Sequence, residues 1–114
     1  VKVSFSHDNG ANFEEPITIG TPNVIGRVDI ALLDQKTALV SYMETSKKKA
    51  LFKVIKVQSS RQVSAPRTIT EMNSSRKSGF PQMEVVEDQV YFAWTGVMQG
   101  ETTIKMATLS TEAF

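Results

Sequence analysis

The chain has 114 residues, one domain's length, with room for a modest hydrophobic core. Thirteen basic against twelve acidic residues leave a net charge of +1, so no electrostatic case for nucleic acid follows, because phosphate binding needs a clustered basic excess. No cysteine is present, so disulfides and thiol chemistry are excluded, and no apolar stretch approaches the roughly 20 residues that span a bilayer. One histidine and no paired carboxylates at ligand spacing predict no metal site. Without a glycine-rich phosphate loop, no cofactor is expected. The chain starts directly on a strand pattern without a signal peptide, which points to a piece of a longer protein.

Residues 1–5 alternate apolar and polar side chains, and residues 16–19 do so again. Between them lies Ser6-His7-Asp8-Asn9-Gly10-Ala11-Asn12-Phe13, which fits Ser-x-Asp-x-Gly-x-x-aromatic. Such a stretch makes a tight turn between antiparallel strands. Asp8 can accept from backbone N–H groups a few residues on, and Gly10 can take a positive φ. Ser6 can satisfy another turn group, and Phe13 is expected to fold back into the sheet packing. His7, inside the turn, is expected at the surface.

Further strands are expected over residues 28–33, 37–43, 50–57, 67–70, 82–86, 89–94 and 103–109. Turns fall at Asp34-Gln35-Lys36, Ser59-Ser60-Arg61-Gln62 and Glu87-Asp88, and a polar loop at residues 98–101. The basic run Lys47-Lys48-Lys49 reads as a solvated turn. No apolar stripe of 3.6-residue period reaches ten residues, so helix should be nearly absent.

A repeat underlies these strands. Val1-Lys2-Val3 recurs as Phe52-Lys53-Val54 and as Ile104-Lys105-Met106, the lysines 51 and 52 residues apart. Pro16-Ile17-Thr18-Ile19 recurs as Pro66-Arg67-Thr68-Ile69, 50 residues on, and residues 26–42 parallel residues 79–94 with one deletion. Four short antiparallel strands per period of about 50 residues is the unit of a β-propeller blade. The expected fold is therefore all-β, made of antiparallel four-stranded blades of a partial propeller. Residues 1–20 supply the last two strands of one blade, residues 21–70 a whole blade, and residues 71–114 the first three strands of the next. At the corresponding position of the whole blade, residues 56–63 lack the Asp and Gly of the first turn. The alternative is a nine-strand sandwich or barrel in which the repeat is accidental.

On residues 6–13 the sequence resembles an Asp box of the sialidase-like (BNR-repeat) β-propellers, with Phe13 where Trp is commoner. The stretches Gly26-Arg27-Val28-Asp29-Ile30-Ala31, Ala38-Leu39-Val40-Ser41-Tyr42, Ser78-Gly79-Phe80-Pro81-Gln82 and Phe92-Ala93-Trp94-Thr95 resemble inner strands of the same family. The resemblance implies that Ser6, Asp8, Gly10 and Phe13 are structural and lie away from any active site. It implies a functional face built from residues 21–27, 44–49, 72–79 and 97–101. There Arg27 and Arg76 stand just before inner strands, where two guanidiniums can grip a carboxylate. Asp29 can face a central channel or pair with Arg27, and Glu44 lies near Tyr42. A glycan with a carboxylate, sialic-acid-like, is the implied ligand, and export to a periplasmic or extracellular compartment the implied location.

Sialidase chemistry as that family runs it needs an arginine triad, a Tyr activated by a Glu, and an Asp acid/base. Arg61 and Arg67 fall on the opposite face or an outer strand, so no third arginine completes a triad. Tyr42 sits at a repeat position that holds Trp94 in the next period, which points to packing. These residues alone are expected to be inactive. The parent is either a glycan-binding or glycoside-hydrolysing protein, or a non-catalytic propeller that serves as an interaction scaffold. Incomplete outer sheets and an open sheet face predict self-association.

Overall fold

The structure, a computed structural model, describes every residue except Lys48, Arg76 and Lys77. The readings of Arg76 and of the middle of the basic run therefore lie outside the described residues. Nine strands follow one another: β1 Lys2–Val3, β2 Ile17–Thr18, β3 Val24–Asp34, β4 Thr37–Ser46, β5 Lys49–Gln58, β6 Arg67–Met72, β7 Gln82–Val86, β8 Gln89–Met98 and β9 Glu101–Ser110. A short 3-10 turn, Thr111–Ala113, closes the chain, and no α-helix occurs among the described residues. The all-β expectation holds.

Each strand pairs antiparallel with its neighbour in sequence, giving sheets of two (β1-β2), four (β3-β4-β5-β6) and three strands (β7-β8-β9). β4 runs past the expected end at residue 43, because Glu44, Thr45 and Ser46 keep pairing with Leu51, Ala50 and Lys49. β3 begins earlier than expected, at Val24, through an irregular stretch whose register shifts between Gly26 and Asp29. Gly26 (φ 83°) and Arg27 (φ 54°) both take left-handed backbone there, as a bulge requires. The turn before β3 depends on Gly20 in the same way. At φ 79° it would carry a Cβ only 2.5 Å from the Val24 side chain, so another residue would need that side chain to shift as well as a left-handed backbone.

The centre of the middle sheet is buried on both faces, and β4 shows why. Its alternation sends Ala38, Val40 and Tyr42 to one side and Leu39 and Met43 to the other, each nearly inaccessible to solvent. The first side, joined by Ile55 and Val57 of β5, packs on Val3, Phe5, Ile17 and Ile19 of the first sheet. The second, with Phe52 and Val54, packs on Met83, Val90 and Phe92 of the third. Phe52 meets Phe92 edge-on at 5.8 Å and Trp94 at 6.2 Å between ring centroids. Each fully buried side chain of this size contributes about 1.5–3 kcal/mol, so the two sheet-on-sheet cores dominate the stability.

The repeat has a spatial meaning. Val3 of the first sheet and Val54 of the middle sheet are equivalent in the repeat, and each lies on the face that covers the next sheet. Tyr42 and Trp94 are likewise equivalent, and each lies on the face that is covered. One packing relation is thus used twice. The chain end is tied into it: Lys56 donates to the Phe114 carbonyl (2.9 Å), and Arg67 to that of Ala113 (3.2 Å).

Candidate functional site

Arg27 sits on the bulge of β3, half-buried, and its guanidinium is already engaged. Nη1 donates to Ser78 Oγ at 2.7 Å and Nη2 to the Ser75 carbonyl at 3.4 Å. The Ser78 hydroxyl in turn donates to the same carbonyl at 2.8 Å. The Phe80 ring lies beneath the cation at 6.0 Å. Arg27 therefore holds the segment that leads into β7, a segment 48 to 51 residues on in sequence.

Asp29 does not pair with Arg27, which settles one of the two expected arrangements. Arg27 itself takes a left-handed backbone, and the register shift between Gly26 and Asp29 breaks the strict alternation that would set the two side chains on one face. Asp29 instead accepts from the Ile30 N–H and, across the gap between sheets, from the Met83 N–H, both at 2.9 Å. A carboxylate thus satisfies a main-chain donor on the outward edge of β7.

Glu44 lies at the end of the core between the first and middle sheets, 6 % exposed. It accepts from Lys53 Nζ at 2.6 Å and from Thr21 Oγ1 at 2.5 Å. The hydrogen bond from Lys53, reinforced by that from Thr21, holds its carboxyl below the ordinary value. The neighbouring Tyr42 moves the opposite way, since burial and then the charge on Glu44 push its phenol up. A nucleophilic Tyr needs a base poised to take its proton. Here the carboxylate is consumed by Lys53 and Thr21, and the phenol is kept protonated, so the pair forms a packing and anchoring unit.

A cleft of about 400 Å³ runs along β3 and β7 and onto β8 and β9. Asp29, Gln82, Glu84, Tyr91 and Met106 are among its walls. Its charged lining is acidic, with no Arg or Lys among the described lining residues. Arg27 and Glu44 do not line it. The structure thus brings Asp29 to this cleft and Arg27 to the adjoining loop, and leaves Glu44 in a separate core.

The turn of residues 6–13 is held by its own side chains. Asp8 Oδ1 accepts from the Asn12 N–H at 2.9 Å and from Ser6 Oγ at 2.8 Å, while Oδ2 accepts from Asn12 Nδ2 at 2.9 Å. The Gly10 N–H donates to Ser6 Oγ at 2.8 Å, with Gly10 at φ 86°. The backbone hydrogen bond from Asn12, then its side chain and that of Ser6, bring the Asp8 carboxyl down to about 2. Phe13 departs from expectation. It is 64 % exposed rather than folded back, because Phe5, Ile17 and Ile19 already fill the covered face of the two-stranded sheet. His7 is at the surface, stacked on Phe5, with Nε2 3.0 Å from Glu14.

Sequence reasoning missed Ser78, Thr21 and Lys53 as partners. Lys53 carried a signal, since it is the repeated lysine of Phe52-Lys53-Val54, but a repeated cation does not name its carboxylate. No group of three or more His, Cys, Asp or Glu side chains converges on a possible metal position among the described residues. No helix among them is long and apolar enough to cross a membrane. Comparison with protein-family models, with curated proteins and with solved structures gives no match.

Proposed function

We propose that the chain is a segment of a sialidase-like, Asp-box β-propeller from a larger glycan-binding or glycoside-hydrolysing protein, and that these residues build the scaffold rather than carry out catalysis. On this proposal residues 1–20, 21–70 and 71–114 are the end of one blade, a whole blade and the first three strands of another. The observation that carries it is the twice-used packing of one sheet face on the next, in step with a sequence period near 50 residues. The self-bonded turn around Asp8 and Gly10 supports the same family. The scaffold role rests on Arg27, Asp29 and Glu44, whose polar atoms are spent on Ser78, Met83 and Lys53.

The ligand class follows from the cleft. Asp29, Glu84 and Gln82 offer acceptors and an amide beside the Tyr91 ring, and the lining adds no cation for a carboxylate sugar among the described residues. A neutral glycan suits that wall better than a sialic-acid-like one. The test combines two measurements on the chain. A fluorogenic sialoside should not be hydrolysed. In a titration with neutral and sialylated oligosaccharides followed by amide NMR shifts, neutral sugars should perturb Gln82, Glu84 and Tyr91. Shifts centred on Arg27 with the sialylated sugar alone would restore the carboxylate-gripping arrangement. No shift with either would leave a scaffold for protein partners, the second function for which the exposed apolar rows speak.

A further inference from the structure

Four asparagines occur in the chain, and only Asn9 is followed by glycine. The pairing matters chemically. The main-chain nitrogen of the next residue can attack an asparagine side chain at Cγ, and a side chain on that next residue hinders the approach. Phe13, Val24 and Ser74 follow the other three asparagines, whereas Gly10 has no Cβ to stand in the way. Asn9 is also exposed, at the tip of the turn between β1 and β2.

The turn restrains that attack. Asn9 (φ 57°) and Gly10 (φ 86°) are the two central residues of a reversal closed by the Ala11 N–H on the Asp8 carbonyl at 3.2 Å. The nitrogen that would attack is that of Gly10, and its proton is donated to Ser6 Oγ at 2.8 Å. Attack requires the peptide plane between Asn9 and Gly10 to rotate and its N–H to lose that proton. Both steps break the bond to Ser6. Ser6 is itself fixed, because its hydroxyl donates to Asp8 Oδ1 at 2.8 Å.

We propose that Asn9 is a spontaneous modification site of this protein and that the hydrogen bond from Gly10 to Ser6 sets its rate. When the turn opens, the Gly10 nitrogen, having given up its proton, bonds to Asn9 Cγ. Nδ2 leaves as ammonia, and a succinimide ring closes. Water then opens the ring at either carbonyl and leaves aspartate or isoaspartate in place of Asn9. Water is the only co-reactant. Either product sets a second carboxylate beside Asp8. The isoaspartyl form also lengthens the main chain by a carbon inside a two-residue turn, across which the Glu14 N–H reaches the Phe5 carbonyl at 2.8 Å. Modification therefore loosens the link between β1 and β2. The inference does not depend on the glycan-binding role and would hold for a pure scaffold.

The test incubates the purified chain at mildly alkaline pH, native and in guanidinium chloride, and follows deamidation by intact mass and peptide mapping. In the native chain the change is expected first at Asn9, at least about tenfold slower than in the unfolded chain, since it waits on local opening. Ser6→Ala, checked for a native circular dichroism spectrum, is expected to react roughly two- to tenfold faster when native, the factor that one net hydrogen bond is worth. Unfolded, it should match the wild type. Ser6→Thr keeps the hydroxyl and should stay slow. A native chain that reacts as fast as the unfolded one overturns the proposal, and that comparison needs no variant. So does native deamidation that begins at another asparagine, or a Ser6→Ala chain no faster than wild type. An acceleration by Ser6→Ala that is equal in guanidinium overturns it too, because the effect would then lie outside the folded turn.

Discussion

Asp29 on β3 accepts a 2.9 Å hydrogen bond from the main-chain N–H of Met83 on β7, 54 residues away. The bond joins the middle sheet to the third one beside their shared apolar core. Asp29→Ala leaves that N–H without its acceptor. The expected loss is about 1–3 kcal/mol of unfolding free energy, read from urea denaturation. Asp29→Asn keeps one oxygen acceptor for two N–H donors and should fall in between. Equal stability of all three proteins would mean that the bond contributes nothing in solution.

The turn around Gly10 makes a backbone prediction free of crowding. A Cβ at Gly10 would meet nothing within 4 Å, so the cost of substitution is conformational. At φ 86° a β-branched residue should destabilise by roughly 1–3 kcal/mol, whereas Asn should be tolerated far better. A melting temperature unchanged in Gly10→Val would show that the turn relaxes elsewhere.

Acid sensitivity follows from Asp8. Its carboxyl is lowered from 3.8 to about 2 by the Asn12 backbone and side chain and by Ser6. A group that holds its proton less tightly when folded contributes fully above the ordinary value. That contribution is lost as pH falls through the lowered one. Stability should therefore decline between about pH 4 and about pH 2, and Asp8→Asn should flatten part of that slope. Denaturant midpoints measured across this range give the comparison. Glu44, also lowered, acts with the same sign.

Lys53 and Glu44 are both largely shielded from water, so removing one strands the other. Lys53→Met should cost about 2 kcal/mol at neutral pH. Lys53→Met with Glu44→Gln should cost less than the two single changes added together. Additive losses in that double-mutant cycle would show that the pair does not interact in solution.

Ser41 offers a change in the opposite direction. Its hydroxyl is fully buried on β4 with no hydrogen-bond partner among the described residues. Ser41→Ala should be neutral or raise stability by up to about 1 kcal/mol. A clear loss, measured by the same denaturation, would mean that the hydroxyl is bonded after all.

The strands were legible because their signals are local. Alternation along β4 and β5, and the turns at Asp34-Gln35-Lys36 and Glu87-Asp88, sit within a few residues of one another. The candidate site was only half legible. Arg27 and Asp29 were visible as charged residues near the start of an apolar strand, but their partners Ser78 and Met83 lie about 50 residues off. Phe13 read as an inward aromatic from its motif position. It stands in water because the neighbouring Phe5 had already taken the available face.

By itself, then, the sequence determined an all-β chain of antiparallel strands, repeated with a period near 50 residues and joined by chemically specified turns. Period-two patterning and a glycine at positive φ act over a handful of bonds, so they need no knowledge of the rest of the chain. Only the tertiary structure decided which faces meet, and with that the fate of each charge. Glu44 became the partner of Lys53 and Asp29 that of Met83, while Ile30 was left bare. Asp29 finds its donor on another sheet, 54 residues away, whereas Glu44 finds Lys53 on the adjacent strand of its own sheet, so which donor comes within 3 Å depends on pairing and packing that the local pattern does not carry.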